Sequence, residues 1–344
     1  MTLDFFASMT AAPSDFRKIE ALLKDAKPKH DPLAHILTTP LFMSKEALGF
    51  VRRFQEERPS EVCFDSAGYY VQMGKIGYHE LYMKLLNCYR MHRWADRYVL
   101  PDNVPLSSDS HKQVEEKVRE TVHYSCLFFQ EMPDELKERA MPVVHGRTRS
   151  QIEYCLEHYL KLGVKWVGFG SFGTAGKNNE ANMATASAVE NARLVAQIAA
   201  HYGVKTHLFG IGAPALVGMI YSTGAAAFDS ASWFKAAGFG QVHLPLMRSY
   251  NITYQNSSSE LQQGITWEDF TRFKHITNHS CTYCQEYHIL AGHKMHRVIH
   301  NLLAVNESVD IFNQEQFERA RTIYEQGSLK YREEHKQWLP LAKS

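Results

Sequence analysis

Cys63-Phe64-Asp65-Ser66-Ala67-Gly68-Tyr69-Tyr70 and Ala226-Ala227-Phe228-Asp229-Ser230-Ala231-Ser232-Trp233 are two short segments in which an apolar run stops at an aspartate. In a parallel α/β protein the polar residue just past a buried strand stands at the carboxyl edge of the sheet, where the catalytic groups of barrel enzymes gather. Two carboxylates placed in this way point to paired acid and nucleophile chemistry. Each segment is also the pattern of an ordinary turn or helix cap, Asp-Ser-x-Gly in the first and Asp-Ser in the second. It is the recurrence at two strand ends that favours function.

Short apolar segments repeat along the chain at residues 61–64, 97–100, 141–144, 165–169, 205–209, 225–228 and 241–244, and helical patterns lie between most of them. Residues 149–162 carry a stripe of Ile152, Cys155, Leu156, Tyr159 and Leu160, and residues 180–202 a similar one of Ala and Val before Gly203. Strand and helix alternating this often imply a parallel sheet covered on its outside. The candidate functional residues are spread over many strand ends, so a (β/α)8 TIM barrel fits better than an open sheet with one switch point. The barrel core is expected over residues 1–248, a small zinc-binding subdomain over 249–305, and a C-terminal helix packing back on the barrel over 306–344. Residues 251–263 read as polar turn material. Residues 313–338 read as a charged amphipathic helix with Phe317, Ile323 and Tyr324 on one side.

The chain has 344 residues, 44% of them hydrophobic, with 38 basic and 37 acidic side chains and a formal charge of +1. That balance does not advertise a polyanion-binding protein, so a nucleic-acid surface would have to be a local patch. Arg90-Met91-His92-Arg93 with Arg97, Arg147 with Arg149, and Lys294 with Arg297 are the candidate groups. Six cysteines in a chain of this length, only Cys281 and Cys284 closely spaced, suit a cytoplasmic protein and not a disulfide scaffold. The start, Met1-Thr2-Leu3-Asp4-Phe5-Phe6, lacks the pattern of a signal peptide. The uncharged stretch 208–228 is broken by Pro214, glycines and Tyr221-Ser222-Thr223, which argues against a membrane span.

The strongest local motif is His279-Ser280-Cys281-Thr282-Tyr283-Cys284, followed by His293, His296 and His300. Two thiolates on a tight turn with imidazoles beyond can close a tetrahedral Zn²⁺ site, and four protein ligands make such a site structural. Cys281 and Cys284 are the expected ligands. The other two are His279 with His300, the pair preferred here, or His296 with His300, which stand one helical turn apart.

Taken together, these residues resemble the tRNA-guanine transglycosylase superfamily, zinc-bearing (β/α)8 barrels that exchange a guanine base in a polynucleotide for a 7-deazaguanine. Phe64-Asp65-Ser66-Ala67-Gly68-Tyr69 is similar to that family's Phe-Asp-Ser-Gly-Gly-Phe/Tyr, Leu208-Phe209-Gly210-Ile211-Gly212 to its Leu-Met-Gly-Val-Gly, and Phe228-Asp229 to its Phe-Asp. The Cys-x-x-Cys with His300-Asn301-Leu302 resembles its zinc segment, so the likeness extends over about residues 60–302. Departures are His145-Gly146-Arg147 for Gln-Gly-Gly, His279 for the first zinc cysteine, Ala67 for a glycine, and Phe209 for a methionine. The segment from Cys284 to His300 is shorter than in the tRNA enzymes, and Ala231-Ser232-Trp233-Phe234 replaces an Arg-rich run. These differences look more like the DNA 7-deazaguanine transglycosylase branch than an enzyme acting on a tRNA anticodon.

The resemblance implies Asp229 as nucleophile on C1′ and Asp65 as general acid/base. It implies base stacking between Tyr69 and Phe209, and a recognition wall of Asp102, His145, Gly170 and Ser171. The implied partners are DNA, or alternatively tRNA, a free 7-deazaguanine such as 7-cyano-7-deazaguanine (preQ0), and either a second copy or a helper protein. A non-catalytic accessory subunit, which keeps barrel and zinc but loses catalytic residues, is a further reading, against which stands the presence of both Asp65 and Asp229.

Overall fold

The computed structural model describes residues 2–170, 185–253 and 264–327. Its main sheet has nine parallel segments: β1 (Asp4–Ser8), β2 (His35–Thr38), β3 (Glu61–Phe64), β4 (Arg97–Val99), β5 (Ala140–Met141), β6 (Val143–Val144), β7 (Trp166–Phe169), β8 (Lys205–Leu208) and β9 (Ala227–Ser230). Their order, β5-β4-β3-β2-β1-β9-β8-β7-β6, runs round in chain sequence. The two ends of the sheet are separated in the chain only by Pro142, which has no N–H to donate and so interrupts the ladder. Pairing carries on either side of it: Leu100 N–H donates to Met141 O (3.0 Å) and Gly168 N–H to Pro142 O (2.8 Å). The sheet therefore curls into a nearly closed, barrel-like α/β fold.

Helices cover its outside, among them Pro13–Ala26, Lys45–Glu57, Tyr78–Met91, His111–Glu131, Arg149–Leu160 and Ala186–His201. Their starts are written locally: Thr148 and Ser110 each accept from the amide of a Gln three residues on, whose side chain returns to the cap. Inside the sheet, Phe6, Leu37, Cys63, Val99, Met141, Val143 and Ala227 form one buried apolar cluster. The period of two along a strand then decides the rest. Two residues before this layer stand Glu61 and Arg97, and two residues beyond it stand Ser8, Thr39, Asp65, His145 and Asp229.

Several expectations are corrected. β1 and β2 are not among the anticipated strands, yet β1 bridges β9 and β2 and is needed to bring the sheet round. Residues 241–244 are not a strand of the barrel: Gln241–Val242 pairs antiparallel with Tyr250–Asn251 in a separate ribbon. Asp229 lies inside β9, opposite Phe6, and not beyond its end, because β1 supplies partners that lengthen the strand. The terminal helix is two helices, Lys294–Asn313 and Phe317–Gln326, with Ile323 and Tyr324 buried. Residues 328–338 of the expected helix, 180–184 of the earlier one and most of the 251–263 turn lie outside the described residues. The Cys/His segment shares the outer core, and Tyr283 OH donates to Leu22 O (2.7 Å) on the first helix. Among the described residues no helix is long and apolar enough to cross a membrane.

Candidate functional site

Asp229 and Asp65 face inward at the same, carboxyl-terminal mouth of the barrel. Three donors converge on Asp229: Ser8 Oγ on Oδ2 (2.5 Å), Gly210 N–H on Oδ1 (2.9 Å) and His207 Nε2 on Oδ1 (3.3 Å). They come from β1, from β8 and from the turn just after β8, and they orient the carboxylate. His207 is fully buried between Phe6 and Phe209, and that burial holds it below its ordinary pKa despite the opposing pull of Asp229. A neutral imidazole donating from Nε2 satisfies this arrangement.

Asp65 has fewer donors: Thr39 Oγ1 (3.0 Å) and the Ala67 amide (3.3 Å), both on Oδ2. Burial pushes it from the ordinary 3.8 up to about 7, and the charges of Asp102 and Asp229 push in the same direction. Two carboxylates at one mouth thus have different environments, one held by three donors and the other by two with its proton affinity raised.

Asp102 and His145 form a buried pair, with His145 Nε2 2.8 Å from Asp102 Oδ2, and Ser66 Oγ donates to Asp102 Oδ1 (2.6 Å). Gly68 lies so close to this carboxylate that a Cβ there would run into Asp102 Oδ1. Gly170 stands against His145, where a Cβ would meet Cε1 at 2.8 Å. Tyr69 is 46% exposed at the start of the short helix Gly68–Gln72. Phe209 lies over Gly168 and caps the inner apolar cluster, so it packs the barrel as well as facing the mouth. Ser171 lies outside the described residues.

Ala67 adopts a left-handed conformation (φ 68°, ψ 21°) where glycine is the natural choice. Ala67→Gly is expected to raise the stability by about 1 kcal/mol. A melting temperature at or below that of the unsubstituted protein would show that the loop carries no such strain.

Sequence reading missed Ser8 and Thr39, because their strands were missed, and His207, whose inward parity with Phe209 was available as a signal. The basic groups are largely corrected. Arg97 is buried inside the barrel at the opposite end, paired with Glu61 (2.5 Å) and stacked on Trp166 (3.4 Å to the ring centre). Arg297 is buried with its guanidinium on the carbonyls of Ala237, Leu290 and Ala291. Arg90 lies in the last turn of the helix Tyr78–Met91 and Arg93 just after it, so both stand away from the mouth. Arg147, just past β6, is on the mouth side and is tied to the carbonyls of Asp109 and Leu106.

A second constellation is His279, Cys281, Cys284 and His300, whose ligand atoms all lie within 4.8 Å of one another and can hold a metal ion. His279 Nε2 and Cys281 Sγ are each 3.4 Å from His300 Nδ1. The outer nitrogens are engaged: His279 Nδ1 with Glu307 (2.6 Å), which pairs with Arg319, and His300 Nε2 with His243 O (2.8 Å). Such partners fix the tautomer and aim the other nitrogen at a metal. The Cys284 thiol is held well below its ordinary pKa by the hydrogen bond from Cys281, with His279 and His300 adding to the effect. His296 is elsewhere, stacked on Tyr283 at 4.8 Å.

No protein-family model matches the chain, and no curated protein matches it.

Proposed function

We propose that the chain is a guanine transglycosylase that exchanges a guanine in DNA for a 7-deazaguanine of the preQ0 type through a covalent Asp229–C1′ intermediate. The observation that carries this reading is the pair of inward carboxylates at one mouth, Asp229 oriented by three donors and Asp65 poised near neutrality. β5 and β6 are then one strand interrupted at Pro142, giving eight strands of a (β/α)8 TIM barrel, and the His/Cys group is a structural Zn²⁺ site, its N2S2 donor set being the one zinc prefers.

A carboxylate oxygen of Asp229 attacks C1′ as the bond from C1′ to N9 breaks, and the departing guanine takes a proton from Asp65. The incoming base gives its N9 proton to the Asp65 carboxylate, N9 attacks C1′, and Asp229 leaves. Two inversions retain the configuration. Asp102 keeps lone pairs free on both oxygens beside Ser66 and His145, so it can accept from the N–H edge of a guanine-like base. A base in a duplex must be extruded to reach such a site, at a cost of a few kcal/mol, so unpaired or easily opened guanines are favoured.

The test is exchange of labelled guanine or preQ0 into DNA and into a tRNA anticodon stem-loop. Incorporation into DNA is expected. Incorporation into the stem-loop alone would move the substrate to tRNA and leave the chemistry standing, and none into either would sink the transglycosylase reading.

Asp65→Asn is expected to slow exchange by about 10²–10⁴ and to remove the limb near pH 7 from the rate profile. Stability moves as well. The folded state keeps a proton on Asp65 that the unfolded chain releases near pH 4, so stability falls as pH rises from about 4 to about 7 and is level above. The rise from 3.8 to about 7 bounds the loss at about 4 kcal/mol. Asp65→Asn removes that loss, so thermal melts at pH 5 and pH 8 should lie closer together in the variant.

A further inference from the structure

We infer that Phe42, Tyr70 and Lys75 form, beside Tyr69, a stacking platform for unpaired bases of a single-stranded polynucleotide flanking the target nucleotide. This inference rests on reading the substrate as a polynucleotide. Phe42 ends the turn that follows β2, and Tyr70 lies in the helix that follows β3, so both stand at the carboxyl-terminal mouth with Asp65. Their rings stack at 3.8 Å between centres and 14° between planes, and Tyr69 meets Tyr70 edge-on at 6.2 Å. Phe42 is 40% exposed.

The chain then turns back, with Lys75 N–H donating to Tyr70 O (2.9 Å), and the Lys75 ammonium comes to 5.2 Å from the centre of the Tyr70 ring. An aromatic pair that exposes Phe42 and carries a cation over the Tyr70 ring is what a base with its phosphate requires. Stacking serves any base, and the ammonium serves the backbone. The exposed aromatics Tyr202 and Phe239 follow helices, not strands, and so belong to the other end of the barrel. Burial and then the Asp65 charge raise the Tyr70 phenol above its ordinary pKa, which agrees with a platform next to the acid/base group. The platform is also held in register with the site. Gly68 N–H donates to Ser66 Oγ (3.1 Å), and Ser66 in turn donates to Asp102.

The test is fluorescence anisotropy with a labelled oligothymidylate of about a dozen nucleotides, which contains no guanine and so reads binding apart from exchange. Phe42→Ala and Tyr70→Ala should each weaken binding roughly 5- to 100-fold. Phe42→Leu and Tyr70→Leu, which keep apolar volume and lose the flat face, should weaken it too while melting like the unsubstituted protein. Tyr202→Ala and Phe239→Ala serve as controls and should bind normally. Normal binding by Phe42→Leu and Tyr70→Leu, no binding by the unsubstituted protein, or a change only in sedimentation, marking a contact between two copies, each overturns the platform. Oligothymidylate binding that depends on the platform in a protein without exchange activity would overturn the transglycosylase reading and leave the platform standing.

Discussion

Asp229→Asn is expected to abolish base exchange together with the denaturant-resistant adduct between protein and polynucleotide, while the fold and melting temperature stay close to those of the unsubstituted protein. An amide cannot act as the nucleophile that traps C1′, so no partial activity is anticipated. Its shape, however, suits the pocket. The amide oxygen can take the Oδ1 position and keep the donors Gly210 N–H and His207 Nε2, and the amide nitrogen can donate to Ser8 Oγ, which turns to accept. Asp229→Ala would leave all three groups without that partner and confound chemistry with folding. Denaturing electrophoresis of the protein incubated with guanine-containing DNA separates the outcomes. An adduct band or turnover from Asp229→Asn would remove the nucleophile assignment.

Cys281→Ser combined with Cys284→Ser is expected to take the metal content from one ion per chain to none and to melt the C-terminal segment. Metal-binding free energy in a four-ligand site is folding free energy, about 10–16 kcal/mol in isolated zinc fingers, which is an upper bound for a segment that also packs on a barrel. The effect should spread along the outer contacts. His279 is tied to Glu307, Glu307 to Arg319, and Arg319 also donates to Thr277 O (2.5 Å), so helix Phe317–Gln326 is joined to the site. Hydrogen exchange should therefore rise in Trp267–Thr277 and Phe317–Gln326 before it rises in the strands. Elemental analysis is the direct measurement. It also separates the two histidine choices: His279→Ala should lose the metal, and His296→Ala, which removes only a ring stacked on Tyr283, should retain it. Freshly purified protein without metal would count against the site.

The two aspartates illustrate how far reading along the chain reaches. Phe64-Asp65 marks the end of a strand, and Phe228-Asp229 falls one residue short of one, because a parallel strand buried on both faces is a run of apolar residues and the first charge shows where it is closing. The Cys281-x-x-Cys284 turn is legible for a similar reason, since its ligand spacing is local. β1 and β2 were not legible. Asp4–Ser8 and His35–Thr38 have polar ends and few residues, and only pairing with β9 and β3 makes strands of them.

What the sequence determined by itself is therefore what depends on neighbours within a few residues: the alternation of short apolar strands with helices, the placement of Asp65 and Asp229 at the carboxyl side of their strands, and the Cys-x-x-Cys turn. The tertiary structure decided what depends on residues far apart. It brought Ser8, His207 and Gly210 onto Asp229, set Asp102 against His145, chose His279 over His296, and placed Arg97 inside the barrel. Distances of this kind follow from sheet closure and from which helix faces pack together. The shift of Asp65 to about 7 belongs with them, since burial and the charges of Asp102 and Asp229 act across space and leave no mark on the order of residues.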